Sequence, residues 1–213
     1  MKRRLVGLLT VLMCLLLMSD SSFAEVSVGL KADDDGINSF YLSVGEQYRV
    51  PEKEVIVIRE KKVSDDELPV VFLIARRASV QPVAVVNLRL AGKSWMDITL
   101  HFGLSPAIYY VAFEKDPGPP YGKAWGYYKK HKKEEWKSIR LGDSDIVNFV
   151  NVKFMCDRYG YTPAQVIQMR DKNESFVFVN SKIKKHKEGK SKEHADSDNP
   201  GKNKSNKGKG KDK

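Results

Sequence analysis

The apolar residues of this chain recur mostly at intervals of three and four. Ile37, Phe40, Tyr41, Val44 and Tyr48 fall on one face of a helix over residues 37–48, and Asp33 to Asp35 stand just before it as cap or first-turn acids. Ile146, Phe149, Val150 and Phe154 mark a second helix from Asp143 to about Tyr159, capped by Asp143 or Ser144 and stopped by Gly160. The run Leu68 to Arg77 predicts a third, in which Pro69 is tolerated because the first turn needs no N–H there. Ser64 or Asp65 would cap it, and Glu67, three residues after Ser64, would complete a capping box. Residues 25–32 alternate, as a short extended lead would. Asp116-Pro117-Gly118-Pro119-Pro120-Tyr121-Gly122 excludes helix and marks either a boundary or a long excursion.

A search of the chain against itself finds V-[IV]-x-[ILM]-R-x4-S three times. The copies run from Val55 to Arg59 with Ser64, from Val85 to Arg89 with Ser94, and from Val166 to Arg170 with Ser175. Each follows a proline: Pro51, Pro82 and Pro163. Proline suits the first helical position, arginine complements the dipole at the other end, and serine can cap whatever follows. In the second copy Gly92 ends the helix and Ser94 caps the next, Trp95 to Phe102, with Ile98 and Phe102 on one face. Val55 to Ile58 alone would suit a strand equally well. The recurrence decides for helix. The predicted fold is therefore all-α: short helices in three helix-turn-helix-like units with a disordered basic C-terminal tail.

The N-terminus obeys a different logic. Lys2, Arg3 and Arg4 precede an apolar run from Leu5 to Met18, and Ser22-Phe23-Ala24 offers a small-x-small site, the three parts of a cleavable signal peptide. The run is short of the about 20 residues that span a bilayer. Cleavage before Glu25 would leave Cys156 as the one cysteine of the mature chain, which excludes an intrachain disulfide. Cys14 lacks the small preceding residue of a lipid-attachment site, since Met13 occupies that position.

The net charge of +10 is unevenly placed. Residues 182–213 hold twelve lysines against five acids, whereas residues 25–181 carry a net charge of only +1. Almost nothing apolar follows Ile183, so this tail is predicted to be disordered. Lys182, Lys184, Lys185, Lys187, Lys190 and Lys192 open it, either as an electrostatic arm for polyanions or as a solubilising tail. The expected organisation is a signal peptide over 1–24, an extended lead over 25–36, and repeat units one and two over 37–115. A connector over 116–142, the third unit over 143–181 and the tail over 182–213 complete it.

Residues Ser94 to Tyr110 resemble the helix-turn-helix of sigma-factor and resolvase-type DNA-binding domains. Gly103 matches the turn glycine, Leu104 the buried turn residue, and Ser105 the cap of a recognition helix from Pro106 to Phe113. The resemblance covers about 25 residues, and non-DNA-binding bundles share the pattern. It implies DNA binding. Export, a nearly neutral body, and a recognition helix offering Tyr109 and Tyr110 but no Arg, Lys, Asn or Gln before Lys115 argue against that. Over its full length the chain is similar to small exported bacterial proteins of unassigned function, which implies localisation and little chemistry.

No H-E-x-x-H, C-x-x-C, G-x-S-x-G or Walker-type pattern occurs, so the sequence gives no ground for a catalytic residue or a cofactor. Cys156, next to Phe154 and Met155, is expected in the core, with a low-pKa thiol near Arg158 as the lesser alternative. Asp33-Asp34-Asp35-Gly36 lacks the spaced ligands of a calcium loop and is expected to cap a helix. His186, His194, Asp196 and Asp198 would hold a transition metal only weakly, because ordering them costs entropy. The best candidate binding surface is Tyr121, Trp125, Tyr127, Tyr128, Lys129, Lys130, Lys132, Lys133 and Trp136, a mixture suited to stacking on rings beside anionic groups. Its alternative is a segment whose aromatics pack inward while its lysines stay solvated.

The leading expectation is a non-catalytic exported binding or envelope-associated protein whose basic arm engages an anionic polymer or membrane surface, with a protein partner also open and the oligomeric state undetermined. The alternatives are a DNA-binding regulator, if the signal is misread, and a periplasmic metal or stress-protective protein.

Overall fold

Eight consecutive buried residues, Leu68 to Ala75, mark the helix around which the others assemble. The computed structural model describes residues 36–171 and 174–197, with side chains to residue 187. Among these, nine α-helices occur in the order α1 (Ile37–Tyr48), α2 (Glu52–Arg59), α3 (Leu68–Ala78), α4 (Pro82–Leu90), α5 (Trp95–His101), α6 (Gly122–Lys130), α7 (Asp143–Tyr159), α8 (Pro163–Met169) and α9 (Phe176–Ser197). Three 3-10 turns, Asp65–Glu67, Pro106–Tyr109 and Lys133–Ser138, join them, and the described residues include no strand. The fold is all-α. None of the described helices is long and apolar enough to cross a membrane. The expected signal peptide and extended lead fall outside the described residues.

A helix that is apolar on every side must be covered on every side. Helix α3 is covered by α1, α4 and α7, and α7 packs in turn on α1, α5, α8 and α9. Phe40 of α1 meets Phe154 of α7 edge-on, with centroids 5.8 Å apart, and Tyr48 stacks on Phe154 at 6.5 Å. Gly45 lets α2 approach α1, since a Cβ there would meet the side chain of Val55 at 2.8 Å. Helix α1 has the predicted bounds, and Arg49 ends it in a left-handed conformation (φ 58°). Val55 and Ile58 are buried in a helix, as the recurrence required.

Several local expectations are corrected. The capping box at Ser64 does not form, because Ser64 makes no capping hydrogen bond and Glu67 is turned elsewhere. Gly142, rather than Asp143 or Ser144, occupies the cap of α7, and its N–H donates to Asp145 at 3.0 Å. The second helix of the helix-turn-helix pattern is a 3-10 turn of four residues, Pro106–Tyr109, and residues 110–113 are not helical. Tyr109 is drawn wholly inside, where its hydroxyl pairs with Thr99 Oγ1 at 2.5 Å. The 116–142 connector itself contains α6 and the third 3-10 turn.

The three repeat copies share a short helix with arginine at or just past its end, but their surroundings differ. Pro82 and Pro163 begin their helices, whereas Pro51 lies one residue ahead of α2. Ser94 accepts from the Asp97 N–H, and Ser175 from the Val177 N–H, while Ser64 caps nothing. Each copy is followed by a turn and a further helix, but these differences leave three equivalent units unconfirmed. The boundary at residue 182 also falls inside a helix: α9 continues to Ser197, and Ile183 is 0 % exposed.

Candidate functional site

The aromatic and basic segment is built from α6 and the turn after it. Tyr121, Tyr128 and Trp136 belong to the core. Tyr121 accepts from the Arg170 guanidinium at 3.0 Å, and Tyr128 donates to the Pro106 carbonyl at 2.7 Å. Trp136 donates its ring N–H to the carbonyls of Tyr128 and His131, each at 3.2 Å. Tyr110 packs on Trp136, with ring centroids 4.5 Å apart and planes tilted by 38°. These three residues cannot meet a ligand without unfolding the segment, which corrects their place in the candidate surface. What remains outside is the half-buried pair Trp125 and Tyr127 with exposed Lys129, Lys130, Lys132 and Lys133. Lys129 lies over the Trp125 ring at 5.6 Å, so that ring already has a cation on its face.

The lysines of the C-terminal segment divide into two kinds. Lys182 is bound to the body: it pairs with Asp171 at 2.8 Å and Glu174 at 2.7 Å and donates to the Met169 carbonyl at 3.2 Å. Those bonds raise its own pKa, and the same contact lowers that of Asp171. It is a structural residue, not part of a free arm. Lys184 is half-buried and Lys185 exposed, and Lys187 lies over Tyr159 at 5.4 Å. Lys190 and Lys192 lie on α9 beyond the described side chains. His186 pairs with the Tyr161 hydroxyl at 3.2 Å, whereas His194, Asp196 and Asp198 lie outside what is described at side-chain level.

The arginines of the repeat and Ser175 were expected as structural residues at helix ends, but their pairing with distant acids was not. The turn Asp65-Asp66-Glu67 binds the arginine of the second copy directly, reaches that of the first through Tyr41, and feels that of the third electrostatically. Arg59 lies over the Tyr41 ring at 5.3 Å and donates to Asn38 at 2.7 Å, while the Tyr41 hydroxyl donates to Asp65 at 2.5 Å. Arg89 donates to Glu67 at 2.5 and 3.0 Å and to Asp143 at 2.6 Å, stacked 4.8 Å from Trp95. Arg170 lies 4.1 Å from the Phe176 ring, donates to Asn148 at 2.7 Å, and acts electrostatically on Asp66. Asp66 accepts from Ser175 Oγ at 2.8 Å and from the Phe176 N–H at 2.9 Å. The Trp95 N–H likewise donates to Asp143 at 2.8 Å, so two helices begin under a distant carboxylate. Burial raises the Asp66 pKa despite these donors and Arg170. Partial burial by itself would lower that of Arg89, but bonds to Asp143 and Glu67 leave it raised.

This cluster ties the 65–67 turn to α4 and α9, and α4 to α7. Cys156 is half-buried, and desolvation, with Asp157 adding to it, pushes its thiol up to about 11, the reverse of what an attacking thiolate needs. Among the described residues no three His, Cys, Asp or Glu side chains converge to hold a metal. A cleft of about 330 Å³ separates residues 112–117 from α8, with Phe113, Pro163 and Ile167 along its walls. A second hollow of about 330 Å³ lies where α1, α3 and α7 meet. Compared with known proteins, the chain matches no family model, no curated protein and no solved structure.

Proposed function

We propose that the protein is a non-catalytic, exported binding protein of the cell envelope or its surroundings, in which a neutral helical body carries a basic arm to an anionic surface or polymer. The observation that carries this reading is how α9 is anchored. Phe176, Val177, Val179 and Ile183 hold its first two turns in the core, and the lysines follow directly from that anchor. An arm rooted in this way transmits its attachment to the whole body. The charge is concentrated at the far end: residues 199–213 contain six lysines against Asp212 alone, whereas residues 188–198 have more acids than bases. A lysine near an anionic membrane contributes about 1 kcal/mol, so six are enough for salt-sensitive attachment.

The DNA-binding alternative finds little support, because the element that would enter a groove is four residues long and two of them, Pro106 and Tyr109, are buried. Export is tested by N-terminal sequencing of the protein from fractionated cells, where a chain beginning at Glu25 outside the cytoplasm is expected. A cytoplasmic chain still beginning at Met1 would overturn the reading. Binding is tested with vesicles rich in anionic phospholipid at increasing salt. A chain ending at Asp198 should lose at least about tenfold in affinity. Equal binding would place the contact on the body.

A further inference from the structure

The hollow at the junction of α1, α3 and α7 has a chemistry of its own. Its rim carries Arg76 and Arg77 from the last turn of α3 and Lys153 from α7, and its wall includes Tyr48 and Leu73. Asp157, one turn after Lys153 and 3.4 Å from it, is the single acid lining the hollow. The pair cancels, and two guanidinium groups remain. Arg76 makes one long contact, 3.4 Å, to the Gln47 carbonyl, and Arg77 forms no ion pair with any described residue. Both arginines are exposed.

Cations in the last turn of a helix complement its dipole, and that would account for one of them. It does not account for two neighbouring arginines that, with a lysine from another helix, rim a hollow of about 330 Å³, within the usual range of small-ligand sites. Three helices that all pack on one another form this hollow, so its shape is held by the core rather than by a loop. A second hollow of about 250 Å³ adjoins it, shares Tyr48 and Arg76, and adds Arg49 opposite Glu54. Guanidinium forks match phosphate oxygens in pairs, and a monoester dianion would meet the surplus of two positive charges.

We propose that the Tyr48, Arg76, Arg77 and Lys153 hollow is a binding site for a phosphate monoester, held by the two guanidinium groups with its carbon skeleton against Tyr48 and Leu73. The site does not depend on the basic arm, so it stands or falls separately from the arm's function. A free phosphorylated polyol and a lipid headgroup bearing a terminal phosphate offer the same chemistry. Titration of the full chain with glycerol 3-phosphate, and separately with phosphatidic-acid vesicles, distinguishes these sources.

Saturable binding of at least one probe is expected. In R76Q/R77Q it should weaken by about tenfold or more, the equivalent of losing one charge-assisted contact. D157N should tighten it severalfold by releasing Lys153, a change that a purely structural Lys153–Asp157 pair would not produce. The chain ending at Asp198 should bind glycerol 3-phosphate as the full chain does. Arg77 makes no hydrogen bond or ion pair with a described residue and acts only electrostatically on Tyr48, so R77Q alone supplies the test if the double variant fails to fold. Absence of binding to both probes, or binding indifferent to Arg77, would overturn the proposal.

Discussion

Arg89 shows how much a single repeated residue organises. Its side chain is 23 % exposed, and it joins Glu67, 15 % exposed, to Asp143 while covering Trp95. Arg89→Ala would leave the Glu67 carboxylate with only the Trp95 ring N–H and is expected to cost about 2 kcal/mol or more in urea denaturation. Arg89→Lys should recover only part, because an ammonium cannot serve both carboxylates in the same planar fork. Loss of the partly exposed Lys153–Asp157 pair should change stability by less than about 0.5 kcal/mol. Asp66 makes a prediction about pH. Its folded pKa is raised above the ordinary carboxylate value, so below the unfolded pKa its protonated form contributes full stability, and that contribution is lost as pH rises through the folded pKa. In urea melts taken across the mildly acidic range, wild type should lose stability relative to Asp66→Asn as pH increases. A wild type that gained instead would show that the Ser175 and Phe176 donors outweigh burial.

At the scale of elements, α9 marks where the body ends. A truncation at residue 182 removes Ile183, which is completely buried, together with the Lys182 pairs to Asp171 and Glu174. Ile183→Ala alone should cost about 2 to 4 kcal/mol, measured by denaturation. Removal of residues 188–213 should leave the melting temperature of the body almost unchanged. In α6, Tyr128→Phe deletes the donor to the buried Pro106 carbonyl and should cost about 1 kcal/mol. The amphipathic helices were legible from sequence because spacing alone specifies a buried face, as in α1. The interior face of α6 was not. Its glycines and lysines dilute the periodic signal, and only the segments around Pro106 and Trp136 show that Tyr128 points inward.

The whole molecule is held by α3 and α7, which between them touch most of the other elements. The proline- and glycine-rich segment after Asp116 divides the sequence pattern but not the packing. The Pro106–Tyr109 turn rests against both the Lys133–Ser138 turn and α7, so the segments on either side of the divide share one core. Unfolding should therefore be a single transition, with near- and far-ultraviolet circular dichroism changing together. Two separated transitions would assign the 116–142 segment a stability of its own.

By itself the sequence determined the helical class, the buried faces of the amphipathic helices, the uneven distribution of charge and the recurrence of an arginine near three helix ends, because periodicity and composition are properties of local order along a chain. It did not show why the arginine recurs. That was decided by the tertiary structure, which pairs Arg89 with Glu67, links Arg59 to Asp65 through Tyr41, and sets Arg170 where its charge acts on Asp66. Glu67 illustrates the reason. Read locally, it belongs to a capping box with Ser64. In the folded chain it is nearly buried beside a guanidinium and an indole N–H, and two charge-assisted or ring N–H bonds out of water outweigh one cap in contact with it. The same holds for the hollow rimmed by Arg76, Arg77 and Lys153, since nothing in a sequence reports that side chains 76 residues apart surround the same space.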